Sequence, residues 1–131
     1  LSATGGAGQG ARAVLLCADL LFGSKVSATL EQAGCEVVCV NDADAARAAL
    51  PGAVLLVADL SDDSLDALGL IVQIRATDGD APATAPRTLG YYQHVDDDTR
   101  RRALDAGFDA VVPRSKLFRE GPQLVSGLLN G

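Results

Sequence analysis

Methionine and tryptophan are absent from this 131-residue chain, and aromatic residues make up only 4% of it. A core has to be assembled from Val, Leu and Ala instead. There is one histidine, His94, and the three cysteines (Cys17, Cys35 and Cys39) show no Cys-x-x-Cys spacing, which argues against a thiolate zinc site. All three sit in apolar stretches, where a thiol behaves as a small hydrophobe, as expected of reduced cysteines in a cytoplasmic protein. No apolar run is long enough to span a bilayer, and the start lacks a signal-peptide pattern. Basic residues are few as well: 11 Lys and Arg against 17 Asp and Glu leave a net charge of −6. Their one tight cluster, Arg100 to Arg102, lies directly behind Asp96 to Asp98 and reads as a solvated helix turn. Direct nucleic-acid binding, which needs a broad positive field, is not expected. A Gly-x-Ser-x-Gly elbow is missing, and no serine or cysteine forms a recognisable triad with His94, so nothing marks a hydrolase.

A hydrophobic fraction of 48% with 21% charged residues fits one globular domain with a buried core. The opening "LSATGGAGQG" contains Gly6-x-Gly8, but a dinucleotide loop follows a strand and opens a helix, whereas here a strand follows the glycines. Residues 1–11 therefore read as a flexible arm and 12–131 as the domain. The glycine-rich start and the end soon after the last helix are compatible with excision from a longer protein.

From there apolar runs alternate with helical patterns. "AVLLC" (13–17), "CEVVCV" (35–40), "AVLLVA" (53–58), "TLGYY" (88–92) and "DAVVP" (109–113) read as strands. Ser24 is expected to cap a helix with the stripe Val26, Leu30 and Ala33, stopped by Gly34. Asn41 or Asp42 caps the second helix, which Pro51-Gly52 ends, and Ser64 caps the third. A polar helix runs from Asp97 to Ala106, and Pro122 opens a last one with Leu124, Val125, Leu128 and Leu129 inward. "DGDAPATAP" (78–86) reads as a loop.

Five strands alternating with five helices predict an α/β fold: a doubly wound parallel sheet covered on both faces. In the order 2-1-3-4-5, the flavodoxin-like arrangement, strands one and three are neighbours. Asp19 and Asp59 then rise from one carboxyl edge, where open sheets place their ligands. Two such carboxylates make a hard-cation site. A bound Mg²⁺ would lessen repulsion between Asp59 and a phosphoryl group, letting the carboxylate act as nucleophile. Tyr91 and Tyr92, on successive strand positions, point to opposite faces.

Over residues 13 to 129 the chain resembles the receiver domain of bacterial response regulators. "LLVADLSDD" is similar to the family's third-strand segment, and "RRRALDAGFDAVVPRS" to its run from helix four into strand five. The resemblance implies Asp59 as phosphoacceptor, Asp19 as the second acid after strand one, and the Ser61 backbone carbonyl completing a Mg²⁺ shell. It also implies a cytoplasmic signalling role without enzymatic activity, served by a sensor kinase and an output domain or other protein partner. The family's contact face would here include Arg100 to Arg102, Val111 and the residues around Lys116 to Arg119, and leaves a homodimer through helix four, strand five and helix five open.

The departures define an atypical receiver. Ala18 replaces the first acid, so the Mg²⁺ shell is weakened or lost. Tyr92, or Gln93 after a one-residue shift, stands where the family places Ser or Thr. Val111 replaces the switch aromatic and Arg114 the phosphate-contacting lysine. If Tyr92 fills the pocket, it takes space a phosphoryl group needs. A signalling domain acting through protein contacts is the leading reading. The alternative is a small flavodoxin-like domain binding a nucleotide or metabolite at the same edge, although no phosphate-cradling glycine loop follows any strand.

Overall fold

A computed structural model describes residues 11–77, 86–93 and 97–130. All but the last residue of the 1–11 flexible-arm reading, most of the 78–86 loop and His94 lie outside the described residues. The elements follow the alternation of the sequence: β1 (Arg12–Leu16), α1 (Leu20–Gln32), β2 (Glu36–Val40), α2 (Ala43–Ala49), β3 (Ala53–Asp59), a 3₁₀ turn (Asp63–Leu65), α3 (Ala67–Thr77), β4 (Arg87–Tyr92), α4 (Asp97–Ala106), β5 (Ala110–Pro113) and α5 (Arg114–Asn130). All pairings are parallel, in the order β2-β1-β3-β4-β5. That is the 2-1-3-4-5 sheet the sequence predicted.

Alternation along the strands divides the core in two. Leu15, Leu55, Val57, Leu89 and Tyr91 pack with Val26 and Leu30 of α1 and Leu117 and Val125 of α5. Val14, Leu56, Tyr92 and Val111 pack on the opposite face with Ala46 of α2, Ile71 of α3 and Ala103 of α4. The central strand β3 is apolar from Ala53 to Ala58, and all of its residues but Val54 are buried, because helices cover both its faces. Each fully buried Leu or Val contributes about 1.5–3 kcal/mol, which is how a core with so few aromatics holds.

Three local expectations are corrected. Asp19, not Ser24, caps α1: its carboxylate accepts from Phe22 N at 3.0 Å, and the helix starts at Leu20. Ser24 instead lies within the first turns and donates back to the Leu20 carbonyl at 3.0 Å. Ser64 belongs to the 3₁₀ turn, not to a cap of α3; its N–H and hydroxyl both donate to Asp62. The last helix begins eight residues early, at Arg114, and kinks at Glu120 (φ −128°, ψ 15°). Pro122 supplies the reason, since it has no N–H and its ring collides with the preceding turn. It opens the second segment of α5, as its first-turn role requires, and Gly121 at the kink lies directly against Thr29 of α1.

At the amino edge of the sheet, Arg75 of α3 ties the helices to the strands. Its Nε and Nη2 donate to the Gly107 carbonyl at 3.0 and 2.8 Å, and Nη2 also reaches Thr88 Oγ1 and Asp109 Oδ2. Gly107 terminates α4 with φ +124°, a conformation L side chains rarely adopt.

Candidate functional site

Asp59 is the last residue of β3 and continues the row Leu55 and Val57 toward the α1–α5 side. Its residue surface is only 5% exposed. Two residues on, Ser61 N donates to Asp59 Oδ1 at 2.8 Å, and Gln93 N donates to Ser61 Oγ at 2.8 Å. This pair of bonds pins the β3–α3 loop to the end of β4. Burial pushes the Asp59 carboxyl above its ordinary value; the Ser61 hydrogen bonds and the Arg114 charge act against that shift without cancelling it. A carboxylate kept this dry, with the charge of a guanidinium acting on it, is unlike a solvated strand terminus.

The register decides which side chains surround it. Leu16 pairs with Ala58, so Cys17 comes level with Asp59 on one side, and Tyr91 pairs with Asp59 on the other. Cys17 is buried, and burial raises its thiol, with the Asp59 charge adding to the effect. Tyr91 is fully buried, and its ring packs 5.3 Å from that of Phe22. Arg114, the first residue of α5, lays its guanidinium 3.5 Å over the Phe22 ring, a cation–π contact. Phe22 in turn meets Phe118 edge-on at 4.9 Å.

The candidates from the sequence therefore divide. Asp59, Ser61, Gln93 and Arg114 come together at the carboxyl edge. Asp19 stands at the same edge, exposed, with its carboxylate committed to the start of α1. Tyr92 faces the other way and packs beneath α3 and α4 with Phe108 and Val111. The aromatic on the Asp59 side is Tyr91, and the side chain level with Asp59 on β1 is Cys17. Sequence reading placed the two tyrosines on opposite faces, but only the register says which one borders the acid. Val111, counted with a contact surface, is buried at 5% exposure.

A hard cation prefers several oxygen ligands. Among the described residues, no group of three His, Cys, Asp or Glu side chains is placed to hold a metal ion. With Ala18 following Cys17 and Asp19 serving as a cap, the side chains here do not fit a divalent-cation site of ordinary strength. On the α4 side of Asp59 lies a cavity of about 110 Å³, with Asp62, Asp66 and Arg102 on its wall. It is far smaller than the roughly 300–1,000 Å³ of small-molecule sites. Asp66 there adopts φ +50°, uncommon for a residue other than glycine, and its carboxylate folds over Gly69. No helix among the described residues is long and apolar enough to cross a membrane.

Comparison with solved structures bears on the fold. The chain is similar to a two-component response regulator of the LuxR family from Aurantimonas sp. SI85-9A1, at 25% identity over 92% of this chain and 86% of that one, with a TM-score of 0.75. It is also similar to a CheY-like response regulator receiver domain protein from Methanospirillum hungatei JF-1, at 16% identity, 92% and 94% coverage and a TM-score of 0.73. A third, the Mn²⁺-bound form of response regulator Rcp1, gives 14% identity, 89% and 90% coverage and a TM-score of 0.65. No family model and no curated protein sequence matches the chain. The fold is thus that of the response regulator receiver domains, the doubly wound class the sequence pointed to.

Proposed function

We propose that this chain is a receiver-like signalling domain that works through protein contacts, with Asp59 as an atypical phosphoacceptor. The observation that carries the reading is the environment of Asp59: a carboxylate 5% exposed at the carboxyl end of the central strand, with the charge of Arg114 acting on it. Phosphoryl transfer there is nucleophilic. An Asp59 oxygen forms a bond to phosphorus, and the bond from phosphorus to the donor's leaving atom breaks. The leaving group departs with that electron pair. Arg114 supplies positive charge for the phosphoryl oxygens, as a planar fork rather than a compact ammonium. No step is assigned to Mg²⁺, because the donor set is short of one.

The protein-contact part of the proposal draws support from an apolar lip at the same edge. Leu20 is 83% exposed and Leu21 77%, both directly after Asp19, and Phe118 adds a part-exposed ring beside Phe22. Clustered exposed apolar side chains of this size mark interaction surfaces. A sensor kinase, an output domain or another downstream protein is the partner class that fits a phosphorelay. The nucleotide or metabolite alternative loses ground to the small volume of the cavity beside Asp59. The test adds acetyl phosphate with and without Mg²⁺ and follows amide resonances of Ser61, Tyr91 and Arg114. Saturable shifts that vanish in Asp59→Asn are the expected outcome. An unresponsive wild type would remove the phosphoacceptor and leave a phosphorylation-independent binder.

A further inference from the structure

One pair of nucleophilic side chains takes no part in the phosphoacceptor reading. β2 is the outer strand beside β1, and its Cys39 pairs with Leu15. Cys17 follows Leu15 by two residues and so shares its face. The Cys17 N–H donates to the Val40 carbonyl at 3.0 Å, which keeps this end of the chain alongside β2. Gly23 of α1 lies over both thiols: a β-carbon built on it would stand 3.7 Å from Cys17 Sγ and 3.7 Å from Cys39 Sγ. Cys17 is buried and Cys39 exposed, so the pair is reached from solvent through Cys39. The third thiol is no part of it, since Cys35 lies four residues back along the strand, roughly 13 Å away.

The spacing selects what can join the two sulfurs. An offset of two residues on neighbouring parallel strands sets the backbones of Cys17 and Cys39 about 8 Å apart. A disulfide spans about 4.4–6.8 Å between Cα atoms, so a direct S–S bond would require the strands to shift. An ion between the sulfurs extends the reach by two metal–sulfur bonds. Zinc asks for four ligands, and among the described residues no third His, Cys, Asp or Glu side chain joins the pair to hold a metal. Copper(I) is soft, favours thiolates and is satisfied by two of them in line.

Tyr91 supplies an independent observation. Its hydroxyl is fully enclosed, has no hydrogen-bond partner and neighbours the Cys17 sulfur. A thiol is a poor acceptor for that hydroxyl, whereas a metal-bound thiolate carries charge and is a better one.

The geometry points to a second site on this domain, in which Cys17 and Cys39 clasp one soft, thiophilic monovalent cation of the copper(I) class beneath Gly23. Binding forms two metal–sulfur bonds and releases both thiol protons to solvent, including the one Cys17 donates to the Asp19 carbonyl at 3.5 Å. Burial raises the Cys17 thiol, with the Cys39 charge adding to it, and a cation between the sulfurs reverses that balance. Gly23 leaves the room the ion needs. The site is independent of whether Asp59 accepts a phosphoryl group.

The experiment titrates copper(I) into the full, reduced chain without oxygen, against the chromogenic chelator bicinchoninate. Wild type withdraws one copper per chain, and X-ray absorption shows a two-coordinate shell of sulfur alone. Cys17→Ala and Cys39→Ala each bind more than about 100-fold more weakly, beyond the loss that an outer-shell partner causes. Cys39 is exposed, so its variant keeps the wild-type melting temperature and a loss there is not a failure to fold. Cys35→Ala binds as wild type does. Gly23→Ala melts no lower, because alanine favours the helix and its methyl meets both sulfurs at ordinary contact distance, yet it crowds the ion and binds about tenfold more weakly. A chelator that strips wild type of all copper overturns the inference. So does undiminished binding by Cys17→Ala or Gly23→Ala, or one copper shared by two chains in a dimer. A Cys17–Cys39 disulfide formed under dilute peroxide, read as the loss of two of three free thiols, would overturn the spacing argument and with it the ion.

Discussion

Replacing Asp109 at the amino edge of the sheet separates two contributions that a list of salt bridges would merge. One oxygen, Asp109 Oδ2, accepts from Thr88 N at 2.8 Å, Thr88 Oγ1 at 3.1 Å and Arg75 Nη2 at 3.1 Å. Thr88 is fully buried, whereas the Arg75 and Asp109 side chains are each 28% exposed. Asp109→Ala removes all three bonds and strands the Thr88 N–H in the core, at about 1–3 kcal/mol for the unmet donor. Loss of the partly solvated ion pair adds about 0–1 kcal/mol. The sum is about 3 kcal/mol, on the order of 10 °C in melting temperature for a domain of this size. Asp109→Asn keeps an amide oxygen where Oδ2 stood, so all three donors remain served and only the charge is lost, at about 1 kcal/mol or less. Urea unfolding followed by circular dichroism, with the slope checked for constancy, measures both. An Asn variant as unstable as the Ala variant would refute the reasoning, because charge pairing would then outweigh satisfaction of the buried backbone.

Two further outcomes follow from the same coordinates. Gly121→Ala places a methyl group into Thr29 Cγ2, so it destabilises by about 1–3 kcal/mol, and Thr29→Ala in the same chain restores most of the loss; no recovery in the double variant would place the strain elsewhere. Asp59→Asn raises stability at neutral pH: burial lifts the folded carboxyl above its ordinary 3.8, so the folded state holds its proton longer than the unfolded one, and wild-type stability falls as pH rises between the two values. The gap between variant and wild type is absent below that ordinary value and grows as pH rises through the folded one. Calorimetry at a series of pH values checks it, and an Asn variant less stable at pH 7 would contradict the burial argument.

The order of elements was legible because strand and helix carry different periods. "AVLLVA" has no polar break and must be covered twice, "DDTRRRALDA" is polar on all but one stripe, and five such alternations admit few windings. Asp59 was legible for the same reason: an acid directly after a fully apolar run stands at a strand end, and parallel sheets gather those ends on one edge. Caps were less legible. Asp19 and Ser24 both have the chemistry to start α1, and only the path of the chain out of β1 selects Asp19. Arg114 opens α5 immediately after β5, but Pro122 gave the stronger local signal for a helix start.

Local pattern by itself determined the strands, their parallel winding and the placement of an acid at the central strand's end, because those follow from spacing along one chain. Tertiary structure decided which neighbours that acid has. Strand register set Cys17 and Tyr91 level with Asp59, turned Tyr92 into the opposite core and brought Arg114 across Phe22. Register is a property of two strands at once, fixed by the packing of both faces, and a residue's own neighbours in sequence hold no record of it.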